Sequence, residues 1–126
     1  MAIAGLGTDI VEIARFDTDK AVRDRLARRV LTPGEWQLYC EHNQPERYLA
    51  KRFAAKEAAV KALGTGIGRG ISWQHIHVSH TEAGAPVLNF SGEFAEQCKV
   101  RGIVSAHVSL SDEQHYAVAT VILETL

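Results

Sequence analysis

The chain has 126 residues, 46% of them apolar and 23% charged, with a formal net charge of −1. These values fit one soluble globular domain over residues 1–126, with no apolar run long enough to span a bilayer. Near-neutral charge gives no reason to expect nucleic acid as a partner. Cys40 and Cys98 match no metal-ligand spacing and read as free thiols in a reducing cytoplasm.

Residues 2–11 read as a strand ending at Asp9, with Gly5 and Gly7 marking close backbone approach. The starting Met-Ala-Ile-Ala-Gly lacks the basic region of a secretory signal. Residues 13–30 read as helical, broken near Arg23. Thr32-Pro33-Gly34-Glu35 is a helix start, with Thr32 as N-cap, Pro33 at the first position and Glu35 closing a capping box. Trp36, Tyr39 and Cys40 are then expected to face the core. Gln44-Pro45 begins a central helix on which Leu49, Phe53, Val60 and Leu63 fall near one face, and Gly64 is its stop.

Residues 72–79 alternate as a strand, with Gln74, Ile76 and Val78 on one side and Trp73, His75, His77 and Ser79 on the other. A turn over 82–86 leads into strand 87–90, and Ser91 caps a short helix over 92–100. Strands 103–110 and 115–124 form a hairpin around Ser111-Asp112-Glu113-Gln114. Val104, Ala106, Val108 and Leu110 are expected on its core side, with Ser105, His107 and Ser109 opposite. Helices packed on one face of an antiparallel sheet make this an α+β fold.

Charge is unevenly spread. Residues 13–32 carry six cations against three anions, and residues 45–61 five against two; residues 62–126 carry three against six. Local basic surface on a near-neutral chain suits an acidic protein partner or a phosphorylated ligand. Within the second basic stretch, Glu57 and Lys61 share a helix face, as do Arg52 and Lys56. Alone, that is a structural helix with surface ion pairs. Two details point to function. Phe53 and Ala54 put apolar surface beside Glu57, and the helix runs into Gly64-Thr65-Gly66-Ile67-Gly68-Arg69-Gly70. The order is not that of a P-loop, because here the helix precedes the glycines. A loop so poor in side chains can lie against an extended ligand. Asp9 alone reads as an ordinary turn or capping aspartate. Paired with Glu57 among cations, it suits Mg²⁺, an ion that takes its remaining ligands from water and substrate phosphates. His107 alone reads as an exposed strand histidine.

Gly5-Leu6-Gly7-Thr8-Asp9-Ile10 and the run from Phe53 through Lys61 to Ile67 resemble the two motifs of the holo-acyl-carrier-protein synthases, the small class of 4′-phosphopantetheinyl transferases. His107-Val108-Ser109 is similar to a further family segment. The resemblance implies a 4′-phosphopantetheinyl transferase-like fold of one unit. It implies transfer of the 4′-phosphopantetheine arm of coenzyme A to a serine of acyl carrier protein, serving fatty acid biosynthesis and releasing adenosine 3′,5′-bisphosphate. It assigns Asp9 and Glu57 to Mg²⁺, and Lys61 and Arg52 to phosphates. Gly64, Thr65, Gly66, Pro86 and His107 are assigned to the coenzyme, and Arg15 and Arg25 to docking the acidic carrier. It also implies a homotrimer with sites at subunit boundaries. The run from Ala117 to Leu123, apolar on both strand faces, suits burial on two sides. Glu57 is the favoured acceptor of the serine proton, ahead of His107.

The chain departs from the family pattern at Gly84-Ala85-Pro86, where relatives often carry a lysine between glycine and proline. The competing readings are a non-catalytic module binding an acidic protein and a Mg²⁺-dependent phosphohydrolase.

Overall fold

A computed structural model describes all 126 residues. Strand β1 (Ala2–Glu12) pairs antiparallel with β5 (Tyr116–Thr125), and β5 pairs antiparallel with β4 (Ile103–Asp112), giving a sheet of order β1-β5-β4. Strands β2 (Ile76–His80) and β3 (Pro86–Phe90) form a separate two-stranded antiparallel sheet. The α+β arrangement expected from the sequence, helices on one face of an antiparallel sheet, is present, with β2 and β3 set apart as a second, smaller sheet. Helix α3 (Pro45–Leu63) lies across the inner face of the larger sheet. Helices α1 (Lys20–Val30), α2 (Pro33–Glu41) and α4 (Gly92–Val100) complete the helical side.

The larger sheet is two-faced for a reason visible in β5. Ala117, Ala119, Val121 and Leu123 are buried against α3, while Val118, Thr120 and Ile122 between them are half-exposed. The chain itself therefore covers one side of this strand. Small residues permit close contact between β1 and α3. A Cβ on Gly5 would sit 1.8 Å from the Ala62 carbonyl oxygen, and one on Gly7 2.0 Å from that of Ala58. Only glycine lets the two backbones meet.

The capping box forms as read. Glu35 N donates to Thr32 Oγ1, Thr32 N donates to Glu35 Oε1 at 2.9 Å, and Pro33 opens the helix. Gln44 and Pro45 start α3, and Gly64 ends it in the left-handed region at φ 86°.

Elsewhere local polar chemistry overrides the apolar pattern. β1 continues past Asp9 to Glu12. The break expected near Arg23 lies instead at Asp17-Thr18-Asp19, between a single 3₁₀ turn (Ile13–Phe16) and α1. Arg23 N makes an ordinary helical bond to Asp19 O at 2.9 Å, whereas short polar side chains at 17–19 compete with helical backbone bonding. Trp73–His75 is a 3₁₀ turn rather than strand, because Ser72 Oγ caps Gln74 N at 3.0 Å and His75 Nδ1 accepts from Ser72 N. Gln74 turns toward α1 and donates to the carbonyls of Arg28, Arg29 and Leu31. A bulge between Ile103 and Ser105 sends Val104 outward, and Ile103 packs on the core in its place. Cys40 is exposed, unlike buried Tyr39 one position before it. Ser91 stands at the N-cap of α4 without a side-chain cap bond.

Candidate active site

Gly5, Gly7 and Asp9 are alternate residues on the inner face of β1. The first two meet Ala62 and Ala58 of α3 in turn. Two strand residues advance about 6.6 Å and four helix residues about 6 Å, so strand and helix step together. That stepping carries Asp9 to the level of Ala54, one turn before Glu57 and Ala58, and the long Lys61 side chain reaches along the helix to meet it. Lys61 Nζ lies 2.8 Å from Asp9 Oδ1 and donates to the Thr8 carbonyl at 3.1 Å. Asp9 keeps only 14% of its side chain exposed, and its Oδ2 is buried without a hydrogen-bond partner. A half-satisfied buried carboxylate costs stability unless something else meets it.

Glu57 is half-buried, and its Oε2 accepts from the Trp73 indole at 3.3 Å. Phe53, one turn earlier, packs between Phe16 and Trp73, with ring centroids 5.5 and 6.1 Å away. The Arg15 guanidinium stands 5.8 Å over the Phe53 ring, and that of Arg29 5.7 Å over Trp73. Exposed cations thus rim an aromatic wall beside Glu57. Arg25 is also exposed on α1, while Lys20 is paired with Asp24.

Lys56 is not a surface cation. It and Glu35 are both fully buried, 2.6 Å apart. Lys56 Nζ also donates to Val30 O at 2.6 Å and Trp73 O at 3.2 Å, and Glu35 Oε2 accepts from Val78 N at 2.7 Å. Burial pushes the Lys56 ammonium below its ordinary value, against the opposing pull of Glu35. This network was missed at the sequence level, yet a signal existed. Leu49, Lys56, Val60 and Leu63 are spaced by seven, four and three, which is the core stripe itself.

The remaining predicted residues lie in three places. Gly64, Thr65 and Gly66 follow α3 directly, and Gly64 and Gly66 both take positive φ. Gly64 and Thr65, with Gly68, Arg69 and Glu93, border a cavity of about 250 Å³ that Gly66 does not line. Arg52 sits five residues before Glu57, about 140° around the helix, and the two are not brought together. It is buried over the Tyr48 ring at 4.4 Å with its Nε unpartnered. It lines a cavity of about 600 Å³ together with Arg47, Lys51, His42 and His80. Pro86 pairs with His80 in the β2–β3 ladder and so stands on the Arg52 side. His107 lies on the outer face of the larger sheet, 61% exposed, 2.6 Å from Glu124. That hydrogen bond holds the Glu124 carboxyl below its ordinary value.

Residues 5–121 match the family described as the 4′-phosphopantetheinyl transferase superfamily. The holo-[acyl-carrier-protein] synthase of Alteromonas mediterranea is 71% identical over 126 residues, covering 100% of both chains. The crystal structure of that synthase from Neisseria meningitidis superposes with a TM-score of 0.90 at 38% identity, covering 98% of this chain and 100% of the other. The Bacillus anthracis synthase, solved in complex with CoA (3′,5′-ADP), superposes with a TM-score of 0.81 at 34% identity, covering 98% of each chain.

Proposed function

This chain belongs to the 4′-phosphopantetheinyl transferase superfamily, and from that premise we propose that Asp9, Glu57 and Lys61 carry its transfer chemistry. The reaction moves the 4′-phosphopantetheine arm of coenzyme A to a serine hydroxyl of apo-acyl carrier protein. The observation that carries the site assignment is the buried, unpartnered Asp9 Oδ2 beside the Lys61–Asp9 pair.

That orphan oxygen fits a metal ion. No group of three or more His, Cys, Asp or Glu side chains stands ready to hold one alone. Two carboxylates fit an ion completed by waters and phosphate oxygens, which is the habit of Mg²⁺. Asp9 and Glu57 would hold it, and when bound it would neutralise charge on the pyrophosphate. Lys61 supplies a fixed positive charge for the leaving phosphate. The serine oxygen forms a new bond to the phosphorus bearing pantetheine. The bond from that phosphorus to the bridging oxygen breaks, and adenosine 3′,5′-bisphosphate leaves with the electron pair. Glu57 accepts the serine proton. Phosphoryl transfer of this kind asks mainly for positioning and charge neutralisation.

The coenzyme carries phosphate at its pyrophosphate and at its ribose. Lys61 suits the first, and Arg52, with its unpartnered buried Nε, suits the second. These residues occupy opposite flanks of α3 in one protomer, as do Glu57 and the His80–Pro86 pair. Two copies can present both flanks to one coenzyme molecule, which supports a homotrimer with sites at subunit boundaries. The outer face of the larger sheet, with Leu6, Ile10, Ile122 and His107, is the surface offered for that assembly. Arg15 and Arg25 dock the acidic carrier.

Incubating the chain with Mg²⁺, coenzyme A and apo-acyl carrier protein tests the reading. Mass spectrometry is expected to show the carrier gaining one phosphopantetheine. A complex with unmodified carrier instead points to a docking module, and coenzyme A breakdown without modification to a hydrolase.

A further inference from the structure

Consecutive residues of α3 grip Trp73 at both ends. Lys56 Nζ donates to its carbonyl oxygen, and its own indole Nε1 donates to Glu57 Oε2. The ring is walled by Phe53 and covered by the Arg29 guanidinium. Its backbone is fixed independently, by the Ser72–His75 capping turn on one hand and the Gln74 amide on α1 carbonyls on the other. An indole held this way offers its N–H from a set position. Glu57, by contrast, sits on a long side chain with several staggered rotamers. The side-chain hydrogen bond that selects among them comes from Trp73.

We propose that Trp73 is a positioning residue, whose indole N–H holds the Glu57 carboxylate in one orientation toward the metal ion and the reacting phosphate. This rests on the reading of Glu57 given above. A phenylalanine in its place fills the same wall and donates nothing. The bond is charge-assisted and half-buried, so its loss is felt in the transition state more than in carrier binding.

Trp36→Phe leaves Trp73 as the only indole of the chain, so emission reports on its surroundings directly. Titrating this variant with Mg²⁺ in the presence of coenzyme A is expected to shift the emission saturably. Adding Glu57→Gln is expected to abolish the shift. In the otherwise natural chain, Trp73→Phe is expected to lower kcat roughly fivefold to tenfold, leaving KM for apo-acyl carrier protein unchanged. Trp73→His keeps a ring N–H and is expected to recover part of that loss. Wild-type kcat in Trp73→Phe overturns the proposal. So does an emission that ignores Mg²⁺ and coenzyme A while Glu57→Gln is inactive, which leaves the reading of Glu57 standing. Wild-type turnover by Glu57→Gln overturns that reading itself. If Trp73→Phe fails to fold by circular dichroism, the emission titration still decides.

Discussion

Lys61 Nζ meets one oxygen of Asp9 at 2.8 Å, and the other oxygen of that carboxylate is buried with no partner at all. A residue kept for folding alone is not left in that state. Asp9→Asn is therefore expected to cut transfer by roughly 10²-fold or more while leaving the melting temperature unchanged or slightly raised. Lys61→Ala is expected to lose about as much activity. Steady-state rates and thermal melts on the same samples check both. A large fall in stability with modest loss of rate makes Asp9 structural.

Gly7→Ala is expected to destabilise the chain by on the order of 3 kcal/mol, because its methyl would meet the Ala58 carbonyl oxygen at 2.0 Å and Ala62 N at 2.5 Å. Both are backbone atoms of a helix and have nowhere to go. Denaturant unfolding measures the loss, and Gly34→Ala, whose added Cβ would meet only His77 Cε1 at 3.4 Å, is the comparison.

Breaking the buried Glu35–Lys56 pair from one side is expected to cost about 3–5 kcal/mol, since the survivor is left charged in the core. Lys56→Met and Glu35→Gln test this singly. The double variant Glu35→Gln/Lys56→Met is expected to lose less than the sum of the singles. Strict additivity in the double-mutant cycle contradicts the pairing.

The turn between β4 and β5 supplies a pH-dependent stabilisation. Burial pushes the Asp112 carboxyl up, but hydrogen bonds from Arg47 and Lys51 together outweigh it and leave the group below its ordinary value. A depressed carboxyl contributes stability that is complete above the unfolded value, about 3.9. That stability drains away as pH falls through the folded value beneath it. Asp112→Asn is expected to cost about 1 kcal/mol at pH 7. Its melting temperature is expected to converge with wild type as acid is added below pH 4. A gap that stays constant with pH contradicts the linkage.

Leu6 and Ile10 project from the outer face of β1, 64% and 62% exposed. Leu6→Asp with Ile10→Asp is expected to leave the chain folded but to dissociate the proposed trimer and abolish transfer. Sedimentation and the carrier assay, run together, check this. An active monomer contradicts shared sites.

Much of this was readable in the sequence, and the exceptions have physical causes. The Thr32–Glu35 box, the start of α3 at Gln44-Pro45 and its stop at Gly64 are local chemistry, complete within a few residues. The Glu57–Lys61 stripe needs only helical periodicity. Trp73 reads as strand because residues 72–79 alternate, and the Ser72 cap that turns it into 3₁₀ shows only in the fold. Arg52 and Glu57 appeared as one basic run because linear spacing hides the 140° or so between them. Lys56 was counted as surface charge because its partner Glu35 is twenty-one residues away and meets it only in the folded core. The β-bulge at Val104 has no local signal beyond Gly102.

The glycine stepping along β1 also limits how this active site can vary. The placing of the Asp9 backbone beside α3 is inherited from backbone meeting backbone at Gly5 and Gly7. Sequence drift on the surface leaves it untouched. A slip of β1 by two residues against β5 preserves every inward-facing alternation, yet it replaces the Asp9 carboxylate with Gly7 in one direction and Val11 in the other. The hydrogen-bond register of one strand pair therefore acts as the ruler of the proposed site, and the final hairpin holds that ruler in place.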